Sequence, residues 1–144
     1  MTVNAYLIFN GNTREAVEFY SKAFQTEKPQ IMTFGDADND PNSKLPEEAK
    51  NLVMHANIKL SGSDIMFSDT FPGNPYTVGN NITLAIVSDD EAYIRSSFSA
   101  LQEGGEVTME LQKTFWSPCY GSVRDRFGVE WQFNLDDGTV FQPE

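Results

Sequence analysis

The sequence predicts an α+β fold in which one βαβββ module occurs twice, its curved mixed sheets enclosing a cleft. Two observations carry this prediction. The succession of apolar periods, one strand, one helix and three strands, runs through twice in 144 residues. Each run also closes on a hairpin, turned at Gly62 in the first copy and at Phe127 in the second. The whole is predicted to be a single domain over 1–144, with module 1 at about 1–75 and module 2 at about 78–144.

The first copy opens with a strand over residues 3–9, which Asn10-Gly11-Asn12 stops. Asn12 followed by Glu15 resembles a capping box, which would satisfy the orphan N–H groups of a helix over 12–24. Ala16, Val17, Phe19, Tyr20, Ala23 and Phe24 recur at helical spacing and give that helix one face for a sheet. The hairpin 52–60/64–68 completes the module. In its first arm Met54, Ala56, Ile58 and Leu60 alternate with His55, Asn57 and Lys59, so the two sets stand on opposite faces.

The second copy opens with a strand over 81–87, where Ile82, Leu84 and Ile86 oppose Asn81, Thr83 and Ala85. Ser88, Asp89, Asp90 and Glu91 place negative charge at the positive end of a helix over 89–103, and Gly104-Gly105 supplies its left-handed stop. That helix presents Tyr93, Ile94, Phe98 and Leu101. In the closing hairpin, 119–125/129–134, Trp131 and Phe133 oppose Glu130, Gln132 and Asn134. The apolar sets are expected under the helices and the mixed sets in the cleft or in solvent. Between its second and third strands the first copy carries an extra segment, 36–50, which reads as a lid, a partner surface or decoration.

Composition narrows the function classes. A chain with 40% apolar and 12% aromatic residues is long enough and apolar enough to bury a core. Twenty-one acidic against 10 basic residues leave a net charge of −11, which repels nucleic acid and anionic membrane surfaces. Cys119 is the only cysteine, so no intrachain disulfide framework exists. The opening residues lack a basic region followed by an apolar run, and no stretch approaches the roughly 20 apolar residues of a membrane span. A cytoplasmic protein is expected. No phosphate-cradling glycine loop, nucleophile elbow, zinc-spacing cluster or dinucleotide fingerprint occurs.

The segments that carry a family likeness run from end to end. Asn4-Ala5-Tyr6-Leu7-Ile8-Phe9-Asn10-Gly11-Asn12, with Ala16 and Phe19-Tyr20 after it, resembles the start of a vicinal oxygen chelate module, the superfamily of glyoxalase I, extradiol dioxygenases and bleomycin-resistance proteins. Met54-His55-Ala56-Asn57, the stretch Gly62-Ser63-Asp64-Ile65-Met66-Phe67-Ser68-Asp69, Leu111-Gln112-Lys113-Thr114-Phe115-Trp116 and Asp125-Arg126-Phe127-Gly128-Val129-Glu130-Trp131 resemble its PhnB-like branch. The resemblance implies the glyoxalase/bleomycin-resistance fold and a homodimer. It also implies a metal site whose ligands come from the first, fourth, fifth and eighth strands, positions occupied here by Ala5, Met66, Asn81 and Gln132. Alanine cannot ligate, a thioether is a poor ligand for hard divalent ions, and amide oxygens are weaker than carboxylate or imidazole. No cofactor is therefore expected, and metal binding would need recruits such as His55 and Glu130. The ubiquinone methyltransferase label attached to this branch has no methyl-donor nucleotide motif behind it in this chain.

The candidate chemistry is correspondingly sparse. His55, the only histidine, is the first candidate for proton transfer and Glu130 the second; each also reads as structural, a cross-sheet hydrogen bond for His55 and a solvated strand-end charge for Glu130. Phe115 and Trp116 offer flat apolar surface for a ligand or for a dimer interface, and in either role Trp116 is expected to be covered. Cys119 lacks an adjacent cation and reads as an idle thiol, while Arg124 and Arg126 read as surface ion pairs, with an anionic ligand as the alternative partner of Arg124. The leading expectation is a metal-independent small-molecule-binding homodimer. Its ligand site would draw on Leu7, His55, Asn57, Met66, Asn81, Thr83, Phe115, Trp116 and Gln132. The alternative is a divalent-metal lyase, isomerase or dioxygenase of the same superfamily.

Overall fold

A computed structural model describes residues 1–139. They divide into two compact units, Met1–Tyr76 and, from Thr77 onward, the second. Residues 140–144, included in the expected second module, lie outside the described residues.

The first unit contains β1 (Ala5–Phe9), α1 (Thr13–Ala23), β2 (Gln30–Thr33), a short α2 (Phe34–Ala37), a 3-10 turn at Glu47–Ala49, β3 (Val53–Leu60) and β4 (Ser63–Asp69). Its sheet has the order β1-β4-β3-β2, with β1 parallel to β4 and the other pairs antiparallel. The second unit repeats this plan with β5 (Thr83–Ser88), α3 (Glu91–Leu101), β6 (Glu106–Gln112), β7 (Tyr120–Arg124) and β8 (Glu130–Leu135), ordered β5-β8-β7-β6. The predicted βαβββ modules are thus present, each a mixed four-stranded sheet with one long helix.

Each core lies between a sheet and its own helix. In the first unit Ala16, Val17 and Tyr20 of α1 are buried, and the Tyr20 ring stacks 5.9 Å from Phe67, which stacks in turn on Phe9. In the second, Ile94, Phe98 and Leu101 are buried, with Phe98 edge-on to Phe133 at 5.4 Å. A Cβ at Gly121 would stand 3.0 Å from the Phe98 ring and 2.9 Å from the Met109 carbonyl, so glycine is what lets the helix seat there.

Two expectations change on the structure. Asn12 makes no side-chain cap bond. The start of α1 is instead held by Asp69, whose Oδ1 accepts the N–H groups of Gly11 (2.9 Å) and Thr13 (3.1 Å) and the Thr13 hydroxyl (2.7 Å). Because β1 and β4 are parallel, the last residue of β4 arrives where α1 begins, and a long-range carboxylate displaces the local cap. Ile82 precedes β5 and is 75% exposed instead of packing under α3. The segment 36–50 is structured in part: Asp36 and Thr33 form a reciprocal capping box on α2, Ala49 is buried, and Gly35 N–H donates to Lys50 O at 2.9 Å.

Candidate functional site

The open face of each sheet, away from its helix, is where side chains are free to meet a ligand. Register fixes its membership. In the first unit Tyr6 pairs with Met66, and Met66 with Asn57, which pairs with Gln30; His55 pairs with Met32. His55, Asn57 and Met66 therefore share the open face, and the His55 ring lies 5.9 Å from Tyr6. Leu7 does not join them. It pairs with Phe67 and so faces α1, as Ala5 does through Ile65. The run Ala-Tyr-Leu-Ile-Phe is apolar throughout, so its alternation could not be read from sequence, and Tyr6 and Ile8 are the residues that β1 shows outward.

The first open face holds little chemistry. His55 has no hydrogen-bonded carboxylate among the described residues to orient its ring. Asn57 lines a depression of about 260 Å³ with Gln30, Lys28, Lys59, Glu27 and Asp64, a mixture of charges of both signs.

The second open face is more organised. Asn81, Thr83, Glu130 and Gln132, all sequence candidates, surround a pocket of about 270 Å³ together with Asn80, Ile82, Tyr120 and Ser122. Parallel pairing of β5 with β8 sets Thr83 beside Glu130, and antiparallel pairing of β7 with β8 sets Ser122 beside Gln132. Tyr120 OH donates to Gln132 Oε1 at 2.8 Å and Ser122 shares a 2.7 Å bond with Thr108. Arg124 donates to a single oxygen of Glu130, through Nε at 2.9 Å and Nη2 at 2.8 Å to Oε1. That bond drives the Arg124 pKa still higher, while Oε2 of Glu130 has no partner among the described residues. Farther along β8, Asn134 Oδ1 is buried without a hydrogen-bond partner among the described residues.

Phe115 and Trp116 sit on the turn between β6 and β7. Ser117, fully buried, anchors it through a 2.7 Å bond from Oγ to Leu135 O, and Thr114 N–H donates to Ser117 O at 2.9 Å. The rings contact each other edge-on at 4.7 Å, and Trp116 meets Tyr120 at 5.1 Å. In the single chain Trp116 is 42% exposed and Phe115 75%. Cys119 is buried, and burial raises its thiol pKa, in keeping with an idle group. Arg126 pairs with Glu103 as a surface residue would.

Sequence reasoning missed Tyr120, Ser122 and Asn80. The first two were within reach, because Tyr120, Ser122 and Arg124 alternate with Gly121 and Val123 on β7 as Glu130 and Gln132 do on β8.

A superfamily metal does not fit these residues. Ala5 offers no donor and Met66 stands on the opposite face of the sheet from it. Gln132 Oε1 is already an acceptor for Tyr120, and Glu130 is bound by a guanidinium. Among the described residues no group of three or more His, Cys, Asp or Glu is placed to hold a metal ion. None of the described helices is long and apolar enough to cross a membrane.

Comparison with known proteins follows the same lines. A family model described as 3-demethylubiquinone-9 3-methyltransferase matches residues 1–134. The chain is 32% identical over 144 residues to protein YjdN of Escherichia coli strain K12, covering 94% of this chain and 95% of that one. It superposes on the crystal structure of protein PA1353 from Pseudomonas aeruginosa with a TM-score of 0.80 at 35% identity, over 94% and 98% of the two chains. The putative 3-demethylubiquinone-9 3-methyltransferase PhnB protein of Bacillus cereus gives 0.72 at 26% identity, over 94% and 100%. A glyoxylase/bleomycin resistance protein/dioxygenase domain from Frankia sp. EAN1pec gives 0.64 at 13% identity, over 94% and 96%, which shows the fold alone.

Proposed function

Because the chain belongs to the PhnB-like 3-demethylubiquinone-9 3-methyltransferase family, with the glyoxalase/bleomycin-resistance fold, we propose that it is a metal-independent small-molecule-binding protein that works as a homodimer. One observation carries this reading. The pocket on the second sheet gathers Asn81, Thr83, Glu130 and Gln132, residue types that hold a ligand by hydrogen bonds, while its one carboxylate is already engaged by Arg124. Amides and hydroxyls of this kind orient and select; a hydroxyl without an adjacent general base is a weak nucleophile, and neither group is a strong Lewis acid. The aromatic turn at Phe115 and Trp116 lies one ring away, through Tyr120, and adds apolar contact at the rim.

Native mass spectrometry of the protein taken from its own cell is the direct test, since it reads the oligomer, any metal and any retained small molecule together. A dimer carrying a small organic molecule and no metal is expected. Calorimetric titration with nickel, zinc, manganese and ferrous ions is the complementary test. Stoichiometric binding of any of these, abolished by His55→Ala or Gln132→Ala, would replace this reading with a metal-dependent enzyme.

A further inference from the structure

The pocket on the second sheet has a charge balance that restricts what it can take. Besides Ile82, its walls are three carboxamides, Asn80, Asn81 and Gln132, three hydroxyls, Thr83, Tyr120 and Ser122, and the carboxylate of Glu130. Glu130 would ordinarily make such a site select cations. Here Arg124 places both of its contacts on Oε1, which cancels the charge while leaving Oε2 facing no donor among the described residues. Gln132 is positioned by the Tyr120 hydroxyl on its oxygen, which leaves its amide nitrogen without a partner among the described residues. The pocket thus offers unused acceptors and donors side by side on β8 and no net charge.

From this we infer that the site takes an uncharged ligand dense in hydroxyl or amide groups, about the size of one sugar ring, and that the Arg124–Glu130 pair sets this selectivity. The inference rests on the pocket being the binding site. An anion entering it meets Glu130, and a cation competes with the Arg124 guanidinium for that carboxylate, so either charge disturbs a pair that is already satisfied. A neutral polyol or amide instead donates to Glu130 Oε2 and accepts from Gln132 without adding charge. The volume, about 270 Å³, falls just below the range usual for drug-sized ligands and suits a single ring.

Three probes that share one skeleton and differ in charge test this: D-glucose, D-glucosamine and D-glucuronate, titrated into isotope-labelled protein and followed by amide chemical shifts. Glucose is expected to move the side-chain amide signals of Asn81 and Gln132 at concentrations about tenfold lower than either charged analogue. Arg124→Gln, which frees the Glu130 carboxylate, is expected to reverse the order in favour of glucosamine, and Gln132→Ala to abolish the glucose response. A wild-type preference for glucosamine or glucuronate at the same signals would overturn the ligand class and leave the pocket standing. Failure of all three to move them also overturns it, while a small molecule retained in native mass spectrometry that shifts those signals would keep the binding reading intact.

Discussion

The indole N–H of Trp131 donates to Asp125 Oδ2 at 2.8 Å, and both residues are buried. Asp125 Oδ1 at the same time accepts the N–H groups of Phe127 (2.8 Å) and Val129 (3.0 Å). One carboxylate therefore closes the β7–β8 turn and fixes the largest core side chain of the second unit, and with it the strand that carries Glu130 and Gln132. Asp125→Ala strips the buried indole donor and two part-buried backbone donors of their acceptor, and an unsatisfied buried group costs about 1–3 kcal/mol. A loss of about 3 kcal/mol is expected in urea unfolding followed by circular dichroism, with Asp125→Asn losing less because one acceptor survives. An Asp125→Ala protein as stable as wild type would show that the carboxylate is dispensable.

The start of α1 gives a sharper contrast between two substitutions. An Asn at a helix N-cap usually contributes about 1 kcal/mol, yet Asn12 makes no cap bond and Asp69 does that work from 56 residues away. Asn12→Ala is expected within about 0.5 kcal/mol of wild type, as for an ordinary surface change. Asp69→Ala should cost about 3 kcal/mol, since Oδ2 also accepts Val53 N–H at 2.8 Å. Equal losses from the two changes would restore the local capping box.

These two carboxylates show where the sequence was legible. Alternation placed the faces of β3 and β8 correctly, because His55-Ala56-Asn57-Ile58 and Glu130-Trp131-Gln132-Phe133 change polarity at every step. It failed for Leu7, where five apolar residues in a row carry no alternation, and for Ile82, which precedes its strand. The cap at Asp69 and the bond from Tyr120 to Gln132 depend on strand register, which joins residues with no local signal between them. The candidate site on the second sheet was therefore half visible: the β5 and β8 residues were found, and the β7 partners that organise them were not.

The Arg124–Glu130 pair makes a prediction about stability independent of any ligand. The Glu130 side chain is 18% exposed and that of Arg124 is 45%, so solvent screens the pair in part. A double-mutant cycle with Arg124→Met and Glu130→Gln is expected to give a favourable coupling resolvable above the error of urea unfolding, because two donors meet one oxygen. The coupling should shrink between 0.05 and 0.5 M salt, ionic strengths that bracket a Debye length of about 10 Å. A coupling indistinguishable from zero at low salt would mean that the pair does not hold Glu130 in solution.

Cys119 links burial to both reactivity and pH. Burial pushes its thiol above the ordinary value of 9.0, outweighing the opposing pull of Arg95 and adding to the push of Glu91. Reaction with iodoacetamide at pH 8 is expected to run more than about tenfold slower in the native protein than in urea, because both the thiolate fraction and access fall. The raised folded value also fixes the sign of the pH effect. The neutral thiol contributes fully to stability below the unfolded-state value, and that contribution is lost as pH rises through the folded one. The urea midpoint should therefore decline above about pH 9 more steeply for wild type than for Cys119→Ala, which has no proton to lose at that position. Parallel declines in the two proteins, or equal alkylation rates folded and unfolded, would place the thiol in contact with solvent.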